Sequence, residues 1–283
     1  MRSIGELVST ADPAVIAPLL VDQVALVTGG SRGVGKGIAE ALAAAGAQVY
    51  VTGRSVMETH FSLSSDVVGK ITPVRCDHTV DAEVSRAFAQ IADQSGSLDV
   101  LVNNVWGGYE GMVENGEFTW VRPFWKQPLR RWDAMFDAGV RAHFVASAHA
   151  VRIMLAAGRG LIVNVSFWAA QKYSGNVLYG MSKAATDKLT ADSARELREH
   201  GIAVVSLYPG LVRTEAVMQS SDFLDLSNSE SPQFTGRAIA SLAADPSVLE
   251  RSGQRLTSAD LALHFGFTDI DGSQPQPLTL DDI

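Results

Sequence analysis

Residues 24–35 read VALVTGGSRGVG, an apolar run that leads directly into a glycine-rich turn. The run Val24–Thr28 is typical of a parallel strand that is buried on both faces. The Ala-rich stretch Lys36–Ala45 has helical spacing, and Gly46 stands where a helix C-cap belongs. A helix N-terminus attracts anions, so strand, glycine turn and helix in this order predict a pyrophosphate-binding turn in an α/β fold.

The composition indicates one well-packed domain. The chain has 283 residues, 46% of them hydrophobic and 19% charged, which suffices for a single large core. The formal net charge is −8 and Lys and Arg form no continuous run, so nucleic acid and anionic membranes are poor partners. Cys76 is the only cysteine and the six histidines lack metal-ligand spacing, so we expect neither a disulfide nor a metal.

Hydropathy and composition also set the expected boundaries. No segment approaches the roughly 18 consecutive apolar residues that a membrane span needs, and we expect a cytoplasmic protein. Residues 1–20 are predicted to be an N-terminal extension, 21–272 one domain, and 273–283 a C-terminal tail. Within the domain, 106–131 and 211–235 are predicted to be lid or substrate loops.

Strands and helices alternate along the domain. Further strands are predicted at 48–52, 72–76, 98–102, 160–165, 202–208 and 254–256, and further helices at 81–94, 132–157, 176–200 and 236–244. This alternation predicts a Rossmann fold: a doubly wound parallel sheet of about seven strands with helices on both faces, in three α/β/α layers.

The end of the second strand bears on the choice of cofactor. An acidic side chain there would accept hydrogen bonds from the ribose 2′-hydroxyl of NAD, and residues 51–54 contain none. Arg54, with Arg32 in the glycine turn, suits the 2′-phosphate of NADP instead. We therefore favour NADP(H) over NAD(H), the alternative being that either arginine is only a solvated surface charge. Asp77 could accept a hydrogen bond from the adenine amino group or cap the next helix, and both readings stay open.

A second stretch, residues 166–183 (SFWAAQKYSGNVLYGMSK), carries candidate acid/base chemistry. On a helix, Tyr179 and Lys183 would share one face, and a nearby ammonium lowers the pKa of a phenol from its ordinary value of about 10. Ser166 would end the strand 160–165, at the sheet edge where ligands bind in such folds. Tyr-x-x-x-Lys alone is common, and its alternative reading is a half-exposed tyrosine beside an extended lysine.

The loop 106–131 is unusually aromatic for a connection in a compact domain. Its aromatic residues are Trp106, Tyr109, Phe118, Trp120, Phe124 and Trp125. We expect the loop to shape an apolar substrate pocket. The alternative is that these rings pack under the loop or at a subunit interface.

The motifs occur together and in a fixed order. They are Thr28-Gly29-x-x-x-Gly33-x-Gly35, Asp77, Asn103-Asn104, Ser166, Tyr179-x-x-x-Lys183 and Pro209-Gly210-x-x-x-Thr214. In this set, over about residues 23–272, the chain closely resembles the short-chain dehydrogenase/reductase (SDR) family of classical type. Local strings such as NVLYGMSKAATDKLTAD are similar to its dehydrogenase/reductase member one-like branch, which is NADPH-linked and reduces carbonyls with broad tolerance.

The resemblance implies an oxidoreductase acting on a carbonyl or secondary alcohol, and the aromatic loop 106–131 favours a hydrophobic one. By this resemblance Tyr179 is the general acid/base, Ser166 binds the substrate oxygen, and Lys183 lowers the Tyr179 pKa and holds the nicotinamide ribose. The turn, the strand ends and the resemblance together give the expected cofactor-binding residues: Gly29, Ser31, Arg32, Gly33, Val34, Gly35, Arg54, Asp77, His78, Asn103, Val105, Tyr179, Lys183, Pro209, Gly210, Val212 and Thr214.

The chain departs from the family pattern at three points. Gly139 stands where many members have an Asn that supports a water-mediated proton relay from the lysine. Phe167-Trp168 follows the serine in place of small residues, which puts bulk at the pocket. The C-terminal segment lacks the acidic-glycine ending of many tetrameric members, so we expect a homodimer through the helices 132–157 and 177–200, with a tetramer as the alternative.

Two other functions share parts of this pattern. A catalytically weak or inactive NADP(H)-binding regulatory protein would keep the fold without turnover, and Gly139 is the one feature that favours it. Epimerase or dehydratase chemistry on a nucleotide sugar uses the same Tyr and Lys, but the longer C-terminal substrate domain expected there is missing.

Overall fold

The computed structural model describes residues 19–109, 112–219 and 221–283. Its strands in chain order are β1 (Val24–Thr28), β2 (Gln48–Gly53), β3 (Lys70–Arg75), β4 (Val100–Asn103), β5 (Val113–Glu114), β6 (Glu117–Phe118), β7 (Gly160–Val165), β8 (Ile202–Tyr208), β9 (Leu211–Val212), β10 (Ser229–Glu230) and β11 (Arg255–Thr257). Seven of them form one parallel sheet, ordered β11-β8-β7-β4-β1-β2-β3, which confirms the predicted fold class.

The helices flank this sheet. They are α1 (Gly33–Ala44), α2 (Asp81–Ser95), α3 (Arg130–Trp132), α4 (Ala142–Ala157), α5 (Val177–Leu197), α6 (Glu215–Met218), α7 (Pro232–Ala244) and α8 (Ser258–Phe265), and a π-helical segment, Asp133–Arg141, joins α3 to α4. The prediction of one continuous helix over 132–157 is wrong in its first part, which is π-helical. The sequence reading also missed α8, which directly follows the last strand.

The sheet is buried on both faces, as the apolar run in β1 requires. Ala25 and Val27 belong to one hydrophobic cluster, while Val24 and Leu26 belong to another. Successive side chains of a strand point to opposite faces, so the two clusters lie on the two sides of the sheet. This arrangement explains why β1 contains no polar residue before Thr28.

The strand order reverses between β1 and β4. The chain passes from β1 to β2 on one side and from β4 to β7 on the other. The carboxyl ends of β1, β4, β7 and β8 therefore open a crevice at one edge of the sheet, where open α/β folds bind ligands.

A network of buried polar side chains braces the sheet behind this crevice. The Asn103 amide Nδ2 donates to Ser147 Oγ at 2.9 Å and to Asn164 Oδ1 at 2.8 Å. The Asn164 Nδ2 donates to Thr190 Oγ1 at 2.9 Å, and Thr190 is bonded to Ser206 at 2.8 Å. The network joins β4, α4, β7, α5 and β8, and so fixes α5 relative to the strand ends.

Both ends of the described chain contact the domain. Residues 1–18 of the predicted extension lie outside the described residues. Leu20 is fully buried, and its N–H donates to the Ala45 carbonyl at 2.8 Å. In the tail, the Gln276 N–H donates to Asn228 Oδ1 at 2.7 Å.

Candidate active site

Helix α5 begins at the cap that positions the candidate tyrosine. The side chain of Asn176 accepts a hydrogen bond from the Tyr179 N–H at 3.0 Å, which satisfies one of the free donors of the first turn. Lys183 lies one turn further along the same helix. Its Nζ donates to the Val165 carbonyl at 3.2 Å, so the lysine reaches from α5 to the end of β7.

Ser166 is the first residue after β7 and is buried. Its N–H donates to the Leu207 carbonyl at 2.9 Å and continues the pairing with β8. Its Oγ donates to the Lys183 carbonyl at 3.4 Å, a long bond that a ligand oxygen can replace. The predicted catalytic residues Ser166, Tyr179 and Lys183 thus come together where β7 and α5 meet.

The phenol of Tyr179 is enclosed by rings from the aromatic loop and from the residue after Ser166. Its ring centroid lies 5.3 Å from that of Trp120, 5.9 Å from Trp106, 6.0 Å from Tyr109 and 6.2 Å from Phe167. Such distances are typical of attractive aromatic packing. The enclosure leaves only 6% of Tyr179 exposed, so its hydroxyl lies in an apolar surrounding.

The protonation of this site is set mainly by burial. Burial raises the pKa of Tyr179 well above its ordinary value, and the Tyr109 hydroxyl, 3.0 Å away, raises it further. Burial also lowers the pKa of Lys183 to about 8, although the charge of Asp187 opposes this. The sequence predicts that Lys183 lowers the Tyr179 pKa, but burial has the larger effect and the pKa is raised. At neutral pH the site holds a neutral phenol beside an ammonium, the protonation that a proton donor needs.

The glycine turn is a tight cradle, and its glycines are required by close contacts. Gly29 has φ +68°, and a Cβ there would lie 2.5 Å from the Val105 Cα. A Cβ on Gly35 would lie 2.3 Å from the Asn104 Nδ2. That amide donates to the Gly29 carbonyl at 2.9 Å and so ties the turn to the end of β4.

The N-terminus of α1 already holds an anionic group. Arg32 is the N-cap and provides no side-chain cap, while the Gly33 N–H donates to the Glu215 carboxylate at 3.0 Å. This carboxylate stands in the position where an anion is attracted by the free N–H groups and the helix dipole. The turn therefore fits the pyrophosphate of a dinucleotide. Thr214 caps α6 through Val217 and holds Glu215 in this position.

Asp77 and His78 follow β3 at the same edge of the sheet. Asp77 Oδ1 accepts hydrogen bonds from the Thr79 N–H and hydroxyl, which closes a turn before α2. Burial acts to raise the Asp77 pKa, but these bonds and the charge of Arg54 lower it overall. His78 Nε2 is bonded to Thr52 Oγ1 at 2.8 Å, and burial lowers its pKa to about 4.

The remaining predicted cofactor residues surround the same crevice. Ser31 and Val34 lie in the glycine turn and at the start of α1, and Pro209, Gly210 and Val212 follow β8. The Gly210 N–H donates to the buried carboxylate of Glu230 at 3.0 Å. The Val105 carbonyl is bonded to His143 Nε2 at 3.0 Å. The sequence reading placed Tyr109 in the aromatic loop but did not predict its hydrogen bond to Tyr179, and it did not identify Glu215 or His143 as neighbours of the site.

The aromatic loop divides into an inner and an outer part. Trp106, Tyr109 and Trp120 pack on Tyr179, while Phe124 and Trp125 pack against each other and remain largely exposed.

Among the described residues no helix is long and apolar enough to cross a bilayer. The same residues form no group of His, Cys, Asp or Glu suited to a metal ion.

Comparisons with known proteins identify the family of this chain. The family model described as short chain dehydrogenase matches residues 23–225. The chain is 42% identical to mouse dehydrogenase/reductase SDR family member 1 over 91% of its length and 86% of that protein. It is 33% identical to (+)-borneol dehydrogenase 2 of Salvia officinalis, covering 86% and 81% of the two chains. A short chain dehydrogenase structure from Mycobacterium thermoresistibile superposes with a TM-score of 0.74 at 26% identity, covering 92% and 95%. The protein thus belongs to the short-chain dehydrogenase/reductase family, whose oxidoreductase fold binds a nicotinamide cofactor.

Proposed function

We propose that the protein is an NADP(H)-dependent oxidoreductase that interconverts a hydrophobic carbonyl compound and its secondary alcohol. One observation carries the proposal: Ser166, Tyr179 and Lys183 meet at the sheet edge that also holds the anion-binding turn. Acid/base groups and a dinucleotide turn on one crevice are what a hydride transfer requires.

Each of the three side chains has a distinct role. Tyr179 is buried as a neutral phenol and gives its proton to the substrate oxygen during reduction. Ser166 donates a hydrogen bond to the same oxygen and orients it. The Lys183 ammonium stabilises the phenolate left on Tyr179, because opposite charges attract strongly in a dry site. When bound, the nicotinamide supplies or accepts the hydride.

The preference for NADP(H) rests on two arginines. Arg32 and Arg54 are exposed, one in the glycine turn and the other just after β2. The charge of Arg54 acts on Asp77, so the guanidinium lies beside this edge of the sheet. No acidic residue occupies 51–54 to bind a ribose 2′-hydroxyl. Two guanidinium groups there match a doubly charged 2′-phosphate.

The hydrophobic substrate is inferred from the walls of the site. Trp106, Trp120 and Phe167 pack around the Tyr179 ring, and a polar substrate would gain few hydrogen bonds from them. The relative from Salvia officinalis is named for the dehydrogenation of borneol, an alcohol, which supports the same class of substrate.

We further propose a cytoplasmic homodimer. Exposed apolar side chains on α4 and α5, such as Phe144 and Met181, support pairing through these helices, with a tetramer as the alternative.

The alternative of an NADP(H)-binding regulatory protein loses its main support. It depended on Gly139 in place of an Asn, and Gly139 has a packing role here, since a Cβ there would lie 2.8 Å from the Trp106 ring. Turnover separates the two functions. Tight NADPH binding without NADPH oxidation on a panel of aldehydes, ketones and quinones would favour the regulatory protein.

Fluorescence titration with NADPH and NADH tests the cofactor assignment. We expect tighter binding of NADPH, and Arg54→Ala should weaken NADPH by about 10–100-fold while changing NADH little, because a charged hydrogen bond contributes about 1.5–3 kcal/mol. Arg198→Ala, on the surface after α5, is the matched control. Tighter binding of NADH by the wild type would contradict the assignment.

Glu215→Gln is expected to tighten NADP(H) binding by about tenfold. The Glu215 carboxylate accepts the hydrogen bond of the Gly33 N–H, and its negative charge would repel a pyrophosphate placed there. Glutamine keeps the size and removes the charge. The dissociation constant measured by titration checks this, with Glu199→Gln on the surface as the control. An unchanged or larger constant in Glu215→Gln would show that the carboxylate does not compete.

A further inference from the structure

The indole of Trp106 faces the ammonium of Lys183, a contact that the roles above do not use. The Lys183 Nζ lies 4.3 Å from the centroid of the Trp106 ring, within the range of about 6 Å for an attractive cation–π contact. The Tyr179 ring packs on the same indole edge to face, at an interplanar angle of 67°. Trp106 therefore touches both residues of the proposed proton-transfer pair.

The indole sits in a slot formed by two glycines. A Cβ on Gly139 would lie 2.8 Å from its Cε3 and Cζ3 atoms. A Cβ on Gly108 would lie 2.7–2.8 Å from Cζ2, Cε2 and Nε1. Real Cβ atoms essentially never approach so closely, so neither position accepts a larger residue while Trp106 stays in place.

Shape, rather than hydrogen bonding, holds this ring. Its Nε1 is buried and has no partner among the described residues. Gly139 belongs to the π-helical segment Asp133–Arg141, where the irregular winding presents the glycine to the ring. The space on this side of Lys183 is thus filled by an aromatic face.

Other charged and titratable groups also face Lys183. Asp187 lies one turn along α5 and raises the Lys183 pKa. His143 on α4 is buried. Burial and, to a smaller extent, the positive charge of Lys183 lower the pKa of His143 to about 3, so its ring is neutral. Tyr179 is a neutral phenol. Asp187 is therefore the one anion in this set, and it also accepts a hydrogen bond from the Tyr208 hydroxyl.

We propose that Trp106 is a positioning residue for Lys183. Its indole face holds the ammonium between the Val165 carbonyl and Tyr179, in a slot that exists because residues 108 and 139 are glycines. The effect on turnover rests on the proposed oxidoreductase function. The contact between the indole and the ammonium does not, and it can be tested alone.

Matched substitutions separate the π face from the apolar bulk. Trp106→Leu keeps an apolar side chain and removes the π face, and kcat for NADPH-dependent reduction should fall about tenfold with KM changed less. Trp106→Phe keeps an aromatic face, so kcat should fall less in this variant than in Trp106→Leu. Gly139→Ala should displace the indole and cost a similar factor, and combining it with Trp106→Leu should add little. Trp125→Leu, at an exposed indole that packs on Phe124 in the outer part of the loop, is the control.

A second measurement does not need turnover. In NMR titration of ¹³C-lysine protein, the Lys183 signal is the one that Lys183→Met lacks. Its pKa should fall by up to about one unit in Trp106→Leu, because a desolvated cation loses an attractive face, and should stay near the wild-type value in Trp125→Leu.

The outcomes are distinct. A Lys183 pKa that is unchanged or raised in Trp106→Leu, or additive losses in the Gly139→Ala combination, would overturn the positioning role. A wild type that turns over no substrate would overturn the proposed function, while the NMR titration would still decide whether Trp106 holds the ammonium.

Discussion

Tyr179→Phe is expected to lower kcat/KM for NADPH-dependent carbonyl reduction by about 10²–10⁴-fold, the usual effect of losing a well-placed proton donor. The change removes one hydroxyl and keeps the ring that packs against Trp106 and Trp120. The fold and NADPH binding should therefore persist, so the loss should appear in kcat. Initial rates and a parallel NADPH titration measure the two effects.

A neighbouring phenol provides the sharpest control for this experiment. The Tyr109 hydroxyl lies 3.0 Å from that of Tyr179 and is the group placed to give a proton in its absence. Residual activity in Tyr179→Phe should therefore fall further when Tyr109→Phe is added. Tyr173→Phe makes the same change at an exposed tyrosine and should leave the rate unchanged. Full activity in Tyr179→Phe would end the assignment of this residue as the acid.

Lys183→Met is expected to lower kcat/KM by about 10²–10³-fold, the effect of removing one preorganised group that stabilises charge in the transition state. Methionine has a similar length and carries no charge that must be buried, so the protein should remain folded. In the wild type, the dependence of the rate on the Lys183 charge should appear in the pH profile. Its Lys183 pKa is about 8, so the ammonium is present below that pH and is lost as the pH rises through it.

The rate of reduction should accordingly be constant near neutrality and decline above about pH 8. Tyr179 keeps its proton over this range because burial raises its pKa, so it does not produce the decline. In Lys183→Met the residual rate should lack this step. A wild-type rate that stays constant well above pH 8, or a step that persists in Lys183→Met, would exclude Lys183 as its source.

Much of the fold and the site could be read from the sequence because their signals are local. An apolar run followed by closely spaced glycines predicts β1 and the turn before α1 without knowledge of any distant contact. The spacing of Tyr179 and Lys183 predicts that they share a helix face. The strand 160–165 also places Ser166 at the sheet edge where β1, β4 and β8 end, because all strands of the sheet are parallel.

The features that escaped prediction depend on contacts between distant segments. The π-helical segment Asp133–Arg141 has apolar spacing close to that of an α-helix, so sequence periodicity could not reveal it. Gly139 departs from the family pattern in sequence, and its packing against the Trp106 ring depends on the fold that brings residues 106 and 139 together. The bond between Gly33 and Glu215 joins positions 182 residues apart, and no local pattern marks it.

Deuterium transfer tests the central claim most directly. The protein is incubated with a hydrophobic ketone and NADPH that carries deuterium at both C4 positions of the nicotinamide, so that either face transfers the label, and the alcohol is analysed by mass spectrometry. We expect one deuterium on the carbinol carbon, formed much faster with labelled NADPH than with labelled NADH and almost abolished in Tyr179→Phe. Alcohol without deuterium, or NADPH that binds tightly and is oxidised by no carbonyl compound of the panel, would contradict it.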